Sequence, residues 1–190
     1  MSLFMGKYRI ETERLRGHDY AAPGGYFITI CTVGMNNLFG EIRNRTVCRN
    51  ELGEIAHKFW IDIPQHHANV SLDEFIIMPN HVHGILVLHP LRRDVACNVS
   101  TRNPASFMSS ISPRPGTLGA IVRSYKAAVT RWQHNRNPGD AVWGSRFYDH
   151  VIRNKSELFA IRNYIRNNPG NWSEADSRPM NLSTDSCEKS

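Results

Sequence analysis

Two apolar runs, Leu72 to Met78 and His81 to Leu88, are separated only by Pro79-Asn80. They read as two strands joined by a tight connection, and everything else has to be arranged around that pair. Upstream, Tyr26 to Val33 is β-branched and aromatic and follows the turn signal Pro23-Gly24-Gly25, so it reads as a buried strand. Between these strands, Leu52, Ile55, Ala56, Phe59, Trp60 and Ile63 recur at the spacing of an amphipathic helix running from Arg49 to about Ile63, which Pro64 is expected to end.

Downstream, Leu118, Ile121, Val122, Tyr125, Val129 and Trp132 mark a second amphipathic helix, stopped by the polar stretch from Asn135 to Gly139. Val142 to Ile152 reads as a last strand. Ser156 is a cap candidate for a final helix carrying Leu158, Ile161 and Ile165, which should end near Pro169-Gly170. The order β-α-β-β-α-β plus one helix is the split arrangement of a ferredoxin-like sheet, an α+β fold. The sheet should be antiparallel, with helices on one face and a C-terminal tyrosine-bearing helix.

A single domain over residues 1–172 is expected, with a Ser-, Pro- and Asn-rich mobile insertion at about 91–116 and a solvated tail at 173–190. With 41% apolar and 21% charged residues among 190, the chain can bury a real core, which excludes disordered, collagenous and coiled-coil classes. Its longest purely apolar runs, Phe75 to Met78 and Ile85 to Leu88, fall far short of the roughly 20 residues of a spanning helix. Residues 1–17 lack a secretory hydrophobic region, so a cytoplasmic protein is expected. Cys31, Cys48, Cys97 and Cys187 form no Cys-x-x-Cys pair and are expected to be reduced.

Three features bear on chemistry. In His81-Val82-His83, strand alternation sends both imidazoles to one face and Val82 to the other. Such a pair binds a divalent ion if a third ligand arrives from another element; otherwise it is a pair of hydrogen-bonded surface histidines. On the last helix, Tyr164 and Asn168 are four apart and share a face, which lets a phenol and a carboxamide oxygen approach one point; the plainer reading is a core tyrosine and a helix-end asparagine. Third, no acidic residue occurs between Val95 and Gly139, whereas Arg102, Arg114, Arg123, Lys126, Arg131 and Arg136 do. With 23 basic against 17 acidic residues and a net charge of +6, this asymmetry points to a polyanion or to a solvated basic surface.

Taken together, Met78-Pro79-Asn80-His81-Val82-His83-Gly84, then Trp143 to Asn154 (WGSRFYDHVIRN), then Tyr164-Ile165-Arg166-Asn167-Asn168-Pro169 resemble the single-tyrosine HUH transposases, specifically the REP-associated tyrosine transposases. Arg14 to Tyr20 and Tyr26 to Thr32 extend the resemblance to about residues 9–172. It implies that His81 and His83 bind a divalent metal ion, that Asn168 supplies a third ligand, and that Tyr164 is the nucleophile. Magnesium or manganese is the implied metal, although two imidazoles also accept zinc.

The implied reaction is cleavage and rejoining of single-stranded hairpin DNA from palindromic repeats through a 5′-phosphotyrosine. The bond energy is kept in the adduct, so no nucleotide cofactor is needed. A phenol is a weak nucleophile near neutrality and needs help; His150 is the candidate helper, against the plainer reading of a strand-end histidine. Arg14, Arg16, Arg123, Lys126, Arg131 and Arg146 are candidates for DNA contacts. Three rivals stand beside this reading: a palindrome-binding protein that no longer cuts, a relaxase or replication-initiator nickase, and a metal hydrolase using water. Monomer and homodimer both remain open.

Overall fold

The computed structural model describes residues 18–90 and 115–173. Arg14, Arg16, Cys97, Cys187 and nearly all of the expected insertion and tail lie outside the described residues. Four strands form one antiparallel sheet: β1 (Gly24–Cys31), β4 (Val70–Ile77), β5 (His81–Leu88) and β6 (Tyr148–Ile152), in the order β4-β5-β1-β6. That is the ferredoxin-like order expected from the sequence, with β5 inserted between two strands joined by a helical crossover. The Pro79-Asn80 connection is as tight as its length requires, closed by Met78 N–H donating to His81 O at 2.8 Å.

Residue parity on each strand decides which layer it feeds. Tyr26, Ile28 and Ile30 of β1 and Val82, Leu86 and Leu88 of β5 face a large core shared with α1 (Glu51–Ile61) and α3 (Leu118–Arg136). Phe27 and Ile85 face the other way, onto Ile161 and Ile165 of α4 (Lys155–Asn167). So α1 and α3 cover one face, and the C-terminal helix covers the other. Gly84 is required on the α1 side: a Cβ there would sit 2.2 Å from Cζ2 of Trp60, a side chain buried completely.

Several element ends differ from the sequence reading. A two-stranded ribbon, β2 (Gly40–Arg43) and β3 (Thr46–Arg49), precedes α1. Its turn places Asn44 and Arg45 at φ 50° and 61°, the left-handed pair a tight hairpin needs but usually signals with glycine. Helix α1 ends at Ile61, and Pro64 sits instead in the first turn of a separate one-turn helix, α2 (Ile63–His66), where its missing N–H costs nothing. The last helix is capped by Asn154 rather than Ser156, its side chain accepting from Glu157 N at 2.8 Å. Only Tyr148–Ile152 of the expected Val142–Ile152 strand is paired as one, apart from a bridge between Thr32 and Trp143.

Edge strand β4 carries an irregularity. Leu72 pairs with Leu86 and Phe75 with Gly84, so Asp73 and Glu74 together face the single residue Ile85, a bulge. Leu72 and Phe75 both pack against the α1–α3 core although two residues separate them, a spacing that would send them to opposite faces of a regular strand. Asp73 and Glu74 both reach α4.

Candidate active site

His81 and His83 stand on the sheet face that α4 covers, while Val82 is fully buried on the opposite side. Their ring centroids are 4.3 Å apart. Register sets Cys31 opposite His81 and Thr29 opposite His83, and Thr29 Oγ1 lies 2.8 Å from His83 Nδ1. His81 Nδ1 lies 2.6 Å from Asn80 Oδ1. An amide oxygen only accepts, so Nδ1 of His81 carries the hydrogen of this contact. Asn80 is itself held, because Thr32 donates to its carbonyl from both N and Oγ1 at 2.9 Å.

His83 is 6% exposed, and burial, reinforced by the neighbouring His81, pushes its pKa well below the ordinary imidazole value. It is therefore a neutral base whose Nε2 faces Tyr164, the phenol oxygen standing 3.4 Å away. Phe27 meets the Tyr164 ring edge-on at 6.1 Å and the His83 ring at 5.3 Å, so one aromatic side chain braces both.

Tyr164 and Asn168 share a face of α4. A residue before proline normally avoids the helical region, yet Asn168 holds φ −56° and ψ −45°, which keeps it one full turn beyond the tyrosine. It is 4% exposed, and its Nδ2 is buried with no hydrogen-bond partner among the described residues. A buried polar side chain with unused capacity is costly unless something else engages it. After Asn168 the chain turns through Pro169–Asn171 and lays Trp172 against His81, the rings stacked at 6.1 Å and 25°. Trp172 also lines a groove of about 540 Å³ with Asn37, Asn44, Arg45 and Pro169.

The donor set suits a divalent ion. Among the described residues no cluster of three His, Cys, Asp or Glu side chains exists to hold a metal; a carboxamide such as that of Asn168 is the type of donor that would complete a set with the two imidazoles. Both imidazoles have Nδ1 engaged by a neighbour, the arrangement by which outer partners orient metal-binding histidines through Nε2.

The remaining sequence candidates lie elsewhere. His150 Nε2 is 2.7 Å from Glu157 Oε1, at a helix position about 10 Å along the axis from Tyr164. Arg123 and Arg131 are exposed on α3, across the sheet from the histidines, and Arg146 is exposed in the loop before β6. Lys126 spends its ammonium within the fold, Nζ donating to Gly144 O at 2.7 Å. The sequence reading did not single out Thr29, Trp172, Asp73 or Glu74. Thr29 was recoverable in principle, as a hydroxyl on the strand parity of Phe27. Trp172 carried no such signal.

Arg162 and Arg166 tie α4 to the β4 bulge. Arg162 reaches both oxygens of Asp73, Nε to Oδ1 at 2.8 Å and Nη2 to Oδ2 at 2.6 Å. Arg166 reaches Glu74 Oε2 through Nε at 2.8 Å and Nη2 at 2.6 Å. The Arg162 contact holds the Asp73 carboxyl below its usual pKa.

The antiparallel β4-β5-β1-β6 sheet with helices packed on both faces has the fold of a REP-associated tyrosine transposase. A member of that family solved bound to a REP hairpin matches it with a TM-score of 0.50 and 19% sequence identity, over 83% of this chain and 74% of that one. No protein-family model matches the sequence. The chain is 37% identical over 165 residues to an uncharacterized protein of Haemophilus influenzae, spanning 85% of this chain and 88% of that protein, and belongs to the same family as that protein. No helix among the described residues is long and apolar enough to cross a membrane.

Proposed function

We propose that the protein is a metal-dependent tyrosine transposase or endonuclease that cuts and rejoins single-stranded hairpin DNA. The observation that carries this reading is the placement of the Tyr164 phenol 3.4 Å from His83 Nε2, with His81 beside it on the same sheet face. The structurally similar transposase is bound to a REP hairpin, which supports hairpin DNA as the ligand class. A net charge of +6 suits such a ligand.

In this reading His81, His83 and the carboxamide of Asn168 would hold a magnesium or manganese ion. When bound, that ion offsets the negative charge of the phosphodiester. The Tyr164 oxygen attacks phosphorus, the bond to the 3′ oxygen breaks, and the phenol proton is balanced by the one the released 3′-hydroxyl acquires. The 5′ end stays on Tyr164 as a phosphotyrosine, so a second 3′-hydroxyl can reverse the step without a nucleotide. Phe27 fixes the phenol ring, Thr29 and Asn80 fix the imidazoles, and Trp172 with its groove offers an aromatic wall along which a strand can pass.

The test mixes the full chain with end-labelled hairpin oligonucleotides from palindromic repeats of its own genome, with magnesium, manganese or chelator, and resolves the products on a denaturing gel. A metal-dependent covalent adduct that disappears in Tyr164→Phe is the expected result. Cleavage without an adduct points to water as the nucleophile, and hairpin binding without cleavage points to a binding protein; either outcome overturns the proposal.

A further inference from the structure

Resting on that reading, we infer that Asp73 and Glu74, the two residues of the β4 bulge, are positioning residues that set the rotation of α4 about its own axis and thereby aim Tyr164. The argument begins with what the apolar contact leaves undetermined. Under α4 the fully packed residues are Phe27 and Ile85 of the sheet with Ile161 and Ile165 of the helix. So narrow an apolar stripe is attractive but not directional, and a helix resting on it can roll.

At 100° per residue, Ile161 and Ile165 lie about 60° and 100° around the axis from Tyr164, whereas Arg162 and Arg166 both lie about 160° from it. The tyrosine therefore stands at one edge of the stripe and the arginines at or beyond the other. A roll of about 20° moves a point about 6 Å from the axis by about 2 Å. Misplacement by about 1 Å costs a reaction as much as a hundredfold. Contacts at the far edge thus control the phenol without touching it.

The bulge supplies those contacts. In an unbroken strand Asp73 and Glu74 would face opposite sides of the sheet, and only one could reach α4. The extra residue between Leu72 and Phe75 turns both carboxylates to the helix, where they grip arginines one turn apart. Asp73 holds Arg162 through two parallel bonds, the geometry with the strongest directional preference. Two grips spaced one turn along the axis resist both roll and slide. At the opposite edge Glu157, about 20° around from Tyr164, is held by His150 and by the backbone N–H of Arg153.

The experiment compares the full-length wild type with Asp73→Asn/Glu74→Gln, with Arg162→Lys, and with the exchanged pair Asp73→Arg/Arg162→Asp. All are assayed at a temperature where circular dichroism shows each folded. Three quantities are read: hairpin Kd, the single-turnover rate of adduct formation at saturating DNA, and the 19F spectrum of 3-fluorotyrosine incorporated at position 164.

The expected result is an unchanged Kd, a rate lowered by about tenfold or more in the double amide and the lysine variants, and a shifted or broadened 19F resonance in both. The exchanged pair should recover rate and resonance toward wild type. A rate and a resonance like wild type in the folded double amide overturn the inference, as does a loss the exchanged pair fails to recover while both variants are folded. If the double amide does not fold, Arg162→Lys, which keeps the charge and loses the paired geometry, decides by the same criteria. A wild type that forms no adduct sinks the proposed reaction instead, and the 19F comparison then decides the positioning role by itself.

Discussion

The phenol oxygen of Tyr164 stands 3.4 Å from Nε2 of His83, a contact between the C-terminal helix and a central strand 81 residues earlier in sequence. That distance places a nucleophile candidate against a neutral, buried base or ligand with no other side chain needed to bridge them.

Replacing Tyr164 with phenylalanine deletes one oxygen and leaves the ring against Phe27. Adduct formation should vanish on a denaturing gel, while unfolding free energy from urea titration should change by no more than about 1 kcal/mol, the scale of one modest hydrogen bond.

Thr29→Val keeps the shape of the strand and removes the hydroxyl 2.8 Å from His83 Nδ1. Manganese affinity, measured by calorimetry, should weaken by about 10- to 100-fold, the usual cost of losing an outer-shell partner of a ligating histidine. An unchanged affinity would show that His83 needs no orientation from Thr29.

Gly84→Ala should destabilise the protein by about 1–3 kcal/mol, because the new methyl group collides with Trp60 and the core must shift to admit it. Trp60→Phe in the same chain should return part of that loss, since the atoms that collide belong to the outer indole ring. Urea denaturation of the wild type, the single variant and the double variant checks both statements.

Acid should act through Asp73. Its pKa in the folded protein lies below its ordinary value of 3.8, chiefly through the Arg162 hydrogen bonds, so the folded state binds fewer protons there than the unfolded chain. The stability this provides is complete above the unfolded value and is lost as pH falls through the folded one. Asp73→Asn should therefore flatten the dependence of unfolding free energy on pH below about 4 relative to wild type.

Arg123→Ala and Arg131→Ala lie across the sheet from the histidines. If they touch the phosphates of a hairpin stem, each should weaken binding across sequences and lower the salt slope by about 1, with the cutting rate of bound DNA unchanged. A salt slope identical to wild type removes them from the interface.

The sheet was legible because its signals are local and period-two: Pro79-Asn80 marks the turn, and the alternation through His81, Val82 and His83 assigns the faces before any coordinates are known. The two long helices followed from their apolar spacing. What stayed hidden depends on tertiary context. Asn44-Arg45 forms a left-handed turn without glycine, so the β2–β3 ribbon carried no conventional mark. Pro64 looked like a terminator because sequence alone does not distinguish the end of one helix from the first turn of another. Asn154 and Ser156 are both good caps, and only the hydrogen bond to Glu157 chooses between them.

At the site, the pairing of Thr29 with His83 depends on strand register, and the stacking of Trp172 on His81 depends on a turn after α4. Asp73 and Glu74 lie within what reads in the sequence as a single apolar run, Leu72 to Met78. Their shared direction exists only because the bulge breaks the alternation that sequence reading relies on.

The two sides of the sheet are unequally committed. The α1–α3 side holds most of the buried aromatic and branched residues, whereas α4 rests on a handful. Survival of the folded chain and placement of the Tyr164 hydroxyl are thus entrusted to different layers. Amide exchange along α4 should outpace that of β5 and α3, and inherited changes on this helix will displace that hydroxyl long before they lower cellular abundance.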